Sequence, residues 1–300
     1  DRMKGITRKI HVLVGDGELQ EGQNWEALRR TEKNVVVHID YNKFRLSTES
    51  GMSIYWQGLL STHSACKTGQ KLFLHDTVKG AGVSFMEGNN AYHAGALQED
   101  EYSRAVDEIR ARIPGVRLEQ AEKRPYVRPC DVFTLAKGYP YILKEVGVNK
   151  RVVVMDADLE PDCGLTAFKQ AYPDRFIQCG IAEQDMVSMA TGLAAGGFIP
   201  VVHSFAAFLC RRANEQIYNA CLERRHIVFV GAMAGMLPTG PGTSHECMED
   251  VALMKTMPGL TVMAPDTPDR LRVAMEWAVN EATGPVYVSI RCWELEGMRR

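Results

Sequence analysis

The sequence predicts an α/β protein of two domains, each a mostly parallel sheet flanked by helices. Three observations support this. Short apolar runs alternate with segments of helical periodicity along most of the chain. The 300 residues are enough for two domains and a little long for one. Residues 114–129 carry three prolines, several charges and little periodicity, which marks a linker. The expected domains are therefore 1–124 and 125–300.

In the first domain, apolar runs predict strands at 10–14, 35–41 and 71–78. A helix follows over 98–112, with Glu99, Asp100 and Glu101 at its start, where the helix dipole favours acidic residues. In the second, strands are expected at 151–156, 176–179, 199–203, 226–231, 260–264 and 286–290. Helices are expected at 131–146, 183–195, 206–221, 247–256 and 268–282. Strands separated by helices favour parallel pairing with right-handed crossovers.

Composition excludes several classes of function. A formal net charge of -2 makes no case for binding nucleic acid or a membrane surface. No apolar run reaches the ~18 residues that suggest a membrane span. The eight cysteines are scattered without a Cys-x-x-Cys pair, which speaks against a zinc site or thioredoxin-like chemistry. Reduced thiols in a cytoplasmic enzyme are the simplest expectation. The first strand begins almost at once after Asp1–Lys9, as in a fragment, a trimmed variant or one component of a split enzyme.

Gly15-Asp16-Gly17-Glu18 stands at the carboxyl end of the first strand, where open α/β sheets bind ligands. Asn42 stands at the end of the second. Two oxygen ligands from two strand ends suit a hard cation such as Mg²⁺ or Ca²⁺, which most often clamps a phosphate. Glycines on either side of Asp16 allow close backbone approach. Phe44 offers no ligand atom in its side chain and would join the metal through its backbone carbonyl. Gly-Asp-Gly alone is also a common turn. His93 and His245 fall in polar, glycine-bearing loops, 89–95 and 240–245, and could pass protons near neutral pH. Glu183 opens a helix, a position that the dipole favours for any carboxylate. Phe205 and Phe208 share one face of a helix start, as core residues also do. Asp158 follows a strand end.

The stretch Gly15 to Ala27, the segment His38-Ile-Asp-Tyr-Asn-Lys43 and the block Thr77 to Glu87, with Asn90 to Leu97 after it, resemble the transketolase family of thiamine diphosphate enzymes. In the second half, Cys179-Gly-Ile-Ala-Glu-Gln-Asp185 and Ser204 to Ala213 resemble the family's pyrimidine-binding domain. The resemblance covers nearly the whole chain, in family order. It implies thiamine diphosphate held through Mg²⁺ (or Ca²⁺) by Gly15, Asp16, Gly17, Glu18 and Asn42. It also implies a Glu183 hydrogen bond to the pyrimidine N1′, stacking of Phe205 and Phe208 on that ring, Asp158 near the thiazolium, and His93 and His245 lining the substrate channel.

The implied reaction transfers a two-carbon ketol unit from a ketose phosphate to an aldose phosphate through a thiamine diphosphate adduct. The implied partners are phosphorylated sugars and a second copy in a homodimer, with a further subunit possible. Three departures set this chain apart. The usual start of the cofactor domain and the family's C-terminal domain are expected to be missing from this sequence, and the paths from Gly22 to Asn42 and from Lys43 to Thr77 are short. They leave open a non-catalytic subunit of a split enzyme. Other thiamine diphosphate chemistry, 1-deoxyxylulose-5-phosphate synthesis or 2-oxo acid decarboxylation, is the remaining alternative.

Overall fold

The computed structural model describes residues 9–25, 34–42, 71–92, 97–113, 138–235 and 242–291. Phe44, His63, His93, Gly240, the proline-bearing stretch 114–129 and the start of the helix expected from 131 lie outside them. The chain divides into two compact units, Asp1–Arg124 and Pro125–Arg300.

In the first unit, β1 (Ile10–Gly15), β2 (Val35–Tyr41) and β3 (Lys71–Asp76) pair in parallel, with β2 in the middle. Gly15 lies opposite Asp40, and Tyr41 opposite Asp76. A small core of Val14, Leu19, Val37 and Ile39 closes one side, with Trp25 packed on it. The Trp25 indole donates to the Leu19 carbonyl at 2.7 Å. β3 stops two residues earlier than expected because the chain turns. The Thr77 amide still donates to the Tyr41 carbonyl at 3.0 Å. Gly80 then adopts φ +72, and a Cβ there would stand 2.4 Å from the Met86 carbonyl oxygen. Helix α1 (Glu99–Arg112) begins with the acidic turn read from the sequence; the Glu101 carboxylate accepts from the Gln98 amide at 3.0 Å.

The second unit holds six parallel strands: β4 (Val152–Asp156), β5 (Phe176–Gln178), β6 (Ile199–Phe205), β7 (Val228–Ala234), β8 (Thr261–Met263) and β9 (Val286–Arg291). Their order is β5-β4-β6-β7-β9-β8. The helices are α2 (Tyr139–Val146), α3 (Thr166–Ala171), α4 (Glu183–Ala195), α5 (Ala206–Arg212), α6 (Asn214–Leu222), α7 (Asp250–Met254) and α8 (Pro268–Asn280). The apolar runs are continuous because both sheet faces are covered. Along β4, Val152 and Val154 face a core with α2, α3 and α8, while Val153 and Met155 face one with α4, α5 and α6.

Two expected helices come out differently, and each has a local cause. The helix expected over 206–221 is two helices. The Asn214 side chain donates to the Cys210 carbonyl at 3.0 Å, so a side chain takes a bond that the helix would otherwise use. The helix expected from 247 starts at Asp250, because Cys247 is extended and exchanges backbone hydrogen bonds of 2.8 and 3.1 Å with Gly235. Helix α3 was not anticipated, since six residues are too few to show a period. Cys163, Cys210, Cys221 and Cys247 are buried free thiols, and Cys179 is half-buried.

The switch in strand order positions the site. The chain leaves β4 for β5 on one side and returns to β6 on the other, so a crevice opens at their carboxyl ends. β6 is buried along its whole length. Its His203 stands 2.6 Å from the Tyr139 hydroxyl through Nε2 and 3.1 Å from the Val201 carbonyl through Nδ1. Burial pushes this imidazole down to about 4. The folded chain therefore keeps His203 neutral where an unfolded one binds a proton.

Stability that depends on neutral His203 is complete above pH 6.5 and is lost as pH falls toward 4. The loss amounts to about 3 kcal/mol. Urea unfolding at pH 7 and pH 4 should show this drop in the wild type and a smaller one in His203→Gln. Equal drops in both would remove His203 from the acid response.

Candidate active site

In the first unit, parallel pairing brings the two predicted metal ligands to one sheet end. The Asp16 amide donates to the Asp40 carbonyl at 3.0 Å, which ties the turn after β1 to β2. Asp16 is 5% exposed, and its Oδ1 accepts from the Gly17 amide at 2.9 Å. Glu18 bends back so that its carboxylate accepts from the Gly15 amide at 2.7 Å. Asn42 donates its amide nitrogen to Asp40 Oδ2 at 3.2 Å. A cation would take Asn42 through Oδ1, the other atom of that amide. Asp40 also accepts from the Thr77 hydroxyl.

The same sheet end carries a residue that the sequence reading did not single out. Burial pulls the Lys79 pKa down, while the facing carboxylates of Asp16 and Asp40 hold it up. Lys79 follows β3 immediately before the Gly80 turn. Among the described residues, no three His, Cys, Asp or Glu side chains gather around one point. Mg²⁺ does not require such a cage, because it commonly takes one or two carboxylates together with phosphate oxygens and water. The donors present are hard oxygens beside an ammonium, and they fit a metal-bound diphosphate.

In the second unit, three strand ends feed one constellation. β5 leads through Cys179 to Glu183, the first residue of α4, which is 2% exposed. β6 ends at Phe205, and Phe208 lies in the first turn of α5. The chain after β7 returns through His245. The Phe205 and Phe208 rings are 5.6 Å apart at 31°. The His245 ring meets the Phe208 ring at 4.8 Å in a T-shaped contact and lies 6.0 Å from that of Phe205. Such ring contacts fix orientation as well as burying area.

Arg212 completes the group, and it too was missed from sequence. Its guanidinium lies 4.1 Å from the Phe208 ring centroid, and its Nη1 donates to Glu183 Oε1 at 3.2 Å. The spacing of Phe208 and Arg212, four residues apart on one helix, was the available signal. Burial first, and then the facing Arg212 charge, lower the pKa of His245. Its Nδ1 lies 2.9 Å from the Ser244 hydroxyl. A planar ring between a buried carboxyl and two phenyl faces is the kind of guest that this arrangement suits.

Asp158 lies two residues beyond β4 and adopts φ +64, a left-handed conformation that Asp tolerates better than most residues. Gln178 holds its loop. The Gln178 side-chain oxygen accepts from the Asp158 and Gly180 amides at 2.8 and 3.1 Å, and its nitrogen donates to Asp156 Oδ2 at 2.6 Å. Burial pushes Asp156 up to about 7, with Asp158 and Glu160 adding to the rise and the Gln178 and Leu159 hydrogen bonds opposing it. Nothing in the residue pattern pointed to Gln178.

A family model described as the transketolase pyrimidine-binding domain matches residues 141–291. Human transketolase is 28% identical over 91% of this chain and 51% of its own length. The 1-deoxy-D-xylulose-5-phosphate synthase of Lachnoclostridium phytofermentans is 28% identical over 94% of this chain and 53% of its own. A crystal structure of a transketolase variant from Pichia stipitis covers 96% of this chain and 56% of its own at 16% identity, with a TM-score of 0.50, a likeness of fold. The chain thus spans about half the length of the curated relatives it matches. With the pyrimidine-domain match extending from α2 to the end of β9, the chain belongs to the transketolase family.

Proposed function

We propose that this chain takes part in thiamine-diphosphate-dependent ketol transfer, moving a two-carbon unit from a ketose phosphate to an aldose phosphate. The observation that carries this reading is the gathering of Glu183, Phe205, Phe208 and His245 at one place within the pyrimidine-domain match. When bound, the cofactor supplies a nucleophilic carbon able to cleave and re-form a bond next to a carbonyl. The protein supplies orientation and proton control. Phe205 and Phe208 hold the pyrimidine by offset stacking. Glu183 holds a proton at the pyrimidine N1′. His245, with His93, moves protons at sugar oxygens. Asp158 bounds the thiazolium side.

In the first unit, Gly15, Asp16, Gly17, Glu18 and Asn42 would hold the diphosphate through Mg²⁺ or Ca²⁺, with Phe44 as a further proposed ligand. Lys79 offsets phosphate charge at the same sheet end. The phosphorylated sugars, the homodimer and the cytoplasmic setting expected from the resemblance belong to this reading. A second reading, 1-deoxyxylulose-5-phosphate synthesis, is favoured by a relative as similar as the human transketolase. A donor screen of ketose phosphates against pyruvate separates the two.

Two substitutions test the assignment. Asp16→Ala and Asn42→Ala each remove an oxygen from a cation that prefers a nearly complete octahedral shell. Mg²⁺-dependent affinity for thiamine diphosphate should fall at least tenfold in each; unchanged affinity in both would refute the metal site. Glu183→Gln keeps the shape of the side chain but removes its capacity for proton transfer. Deuterium exchange at C2 of the bound cofactor should slow by 100-fold or more, on the scale of a lost acid–base group. Exchange at the wild-type rate would take Glu183 out of cofactor activation.

A further inference from the structure

The position of Arg212 has a consequence for how the pyrimidine subsite is occupied, and it rests on the reading just given. Arg212 is the last residue of α5. Its backbone is anchored, because the Gln184 side chain donates to the Arg212 carbonyl at 2.9 Å and ties the end of α5 to the first turn of α4. Its side chain is 36% exposed. The main chain is therefore held while part of the side chain faces solvent.

Two contacts of the guanidinium bear on the subsite. Its central carbon stands over the Phe208 ring, 4.1 Å from the centroid, and it donates N–H to Glu183 at 3.2 Å. An aminopyrimidine protonated on its ring nitrogen is an amidinium: planar, cationic, and bearing N–H donors along one edge. Its preferred partners are the same, an aromatic face and a buried carboxylate. Glu183 could accept from both, but both groups cannot lie on the same Phe208 face.

We propose that Arg212 caps the pyrimidine subsite from within the chain, standing on Phe208 and Glu183 in place of the cofactor ring until the ring displaces it. The cap keeps the buried Glu183 carboxyl partnered while the ring is absent. It also lowers apparent cofactor affinity by the fraction of molecules in which the cap is closed. A ring without an N–H donor edge has nothing to exchange for the ion pair, so the cap selects for an aminopyrimidine.

The test is calorimetric titration of the full chain with thiamine diphosphate and Mg²⁺. Arg212→Met removes the planar cation and keeps an apolar stem, and it should bind on the order of tenfold tighter than wild type. Arg212→Lys keeps the charge but loses the planar guanidinium, so its affinity should lie between the two. It also serves as the deciding variant if Arg212→Met does not fold. Equal or weaker binding by the folded Arg212 variants overturns the cap. Phe205→Ala serves as the control for the underlying reading, since Phe205 meets Phe208 and His245 at the ring site. If Phe205→Ala weakens binding while the Arg212 variants do not tighten it, only the cap falls. If Phe205→Ala binds as wild type, or no chain gives saturable heat, the pyrimidine reading falls and the cap with it.

Discussion

The second unit depends on one topological constraint: strand order reverses at β4. A parallel sheet covered on both faces has no free face on which to build a site, so its chemistry is confined to loops at the strand ends. With β5 and β6 on opposite sides of β4, three of those loops leave the same edge of the sheet. They deliver Asp158, Glu183 and the Phe205–Phe208 pair, and the return from β7 adds His245. Each residue is held by a core that alternates along its strand, so the position of the site follows from packing on both sides of the sheet.

Within that crevice the central energetic fact is a carboxylate almost wholly removed from water. Burying a charge is costly unless it is paired. Glu183 meets this cost through Arg212, which is itself steadied by the Phe208 ring. Under the proposed function, a carboxyl that partners a cofactor ring in one state needs another partner in the absence of that ring. Buried polar groups elsewhere in the unit are handled in a related way. His203 stays neutral between Tyr139 and a strand carbonyl, and Asp156 draws on Gln178 and the Leu159 amide.

Much of this was legible in the residues. The runs Val152–Met155 and Ile227–Val230, within the strands expected at 151–156 and 226–231, read as buried because nothing polar interrupts them. Glu183, Phe205, Phe208 and His245 could be named, and the fold brings all four together. The break at Ala213 was not legible, because the apolar period runs through it and only the Asn214 bond to Cys210 reveals the new helix. Arg212 and Lys79 escaped notice for a common reason. A charged side chain reads as solvated until the fold shows a buried carboxylate in front of it. Gln178 escaped because its role lies in the loops it joins, which are distant in sequence. Phe44 and His93 fall outside the described residues.

The central claim is that a planar aminopyrimidine sits between the Phe205–Phe208 pair and the Glu183 carboxyl. A crystal structure of the chain grown with thiamine diphosphate and Mg²⁺ tests it most directly. The account requires the ring on the Phe208 face, its N1′ within hydrogen-bond distance of a Glu183 oxygen, and the Arg212 guanidinium swung away from both. A cofactor ring bound elsewhere, with Arg212 still on Glu183, would contradict it.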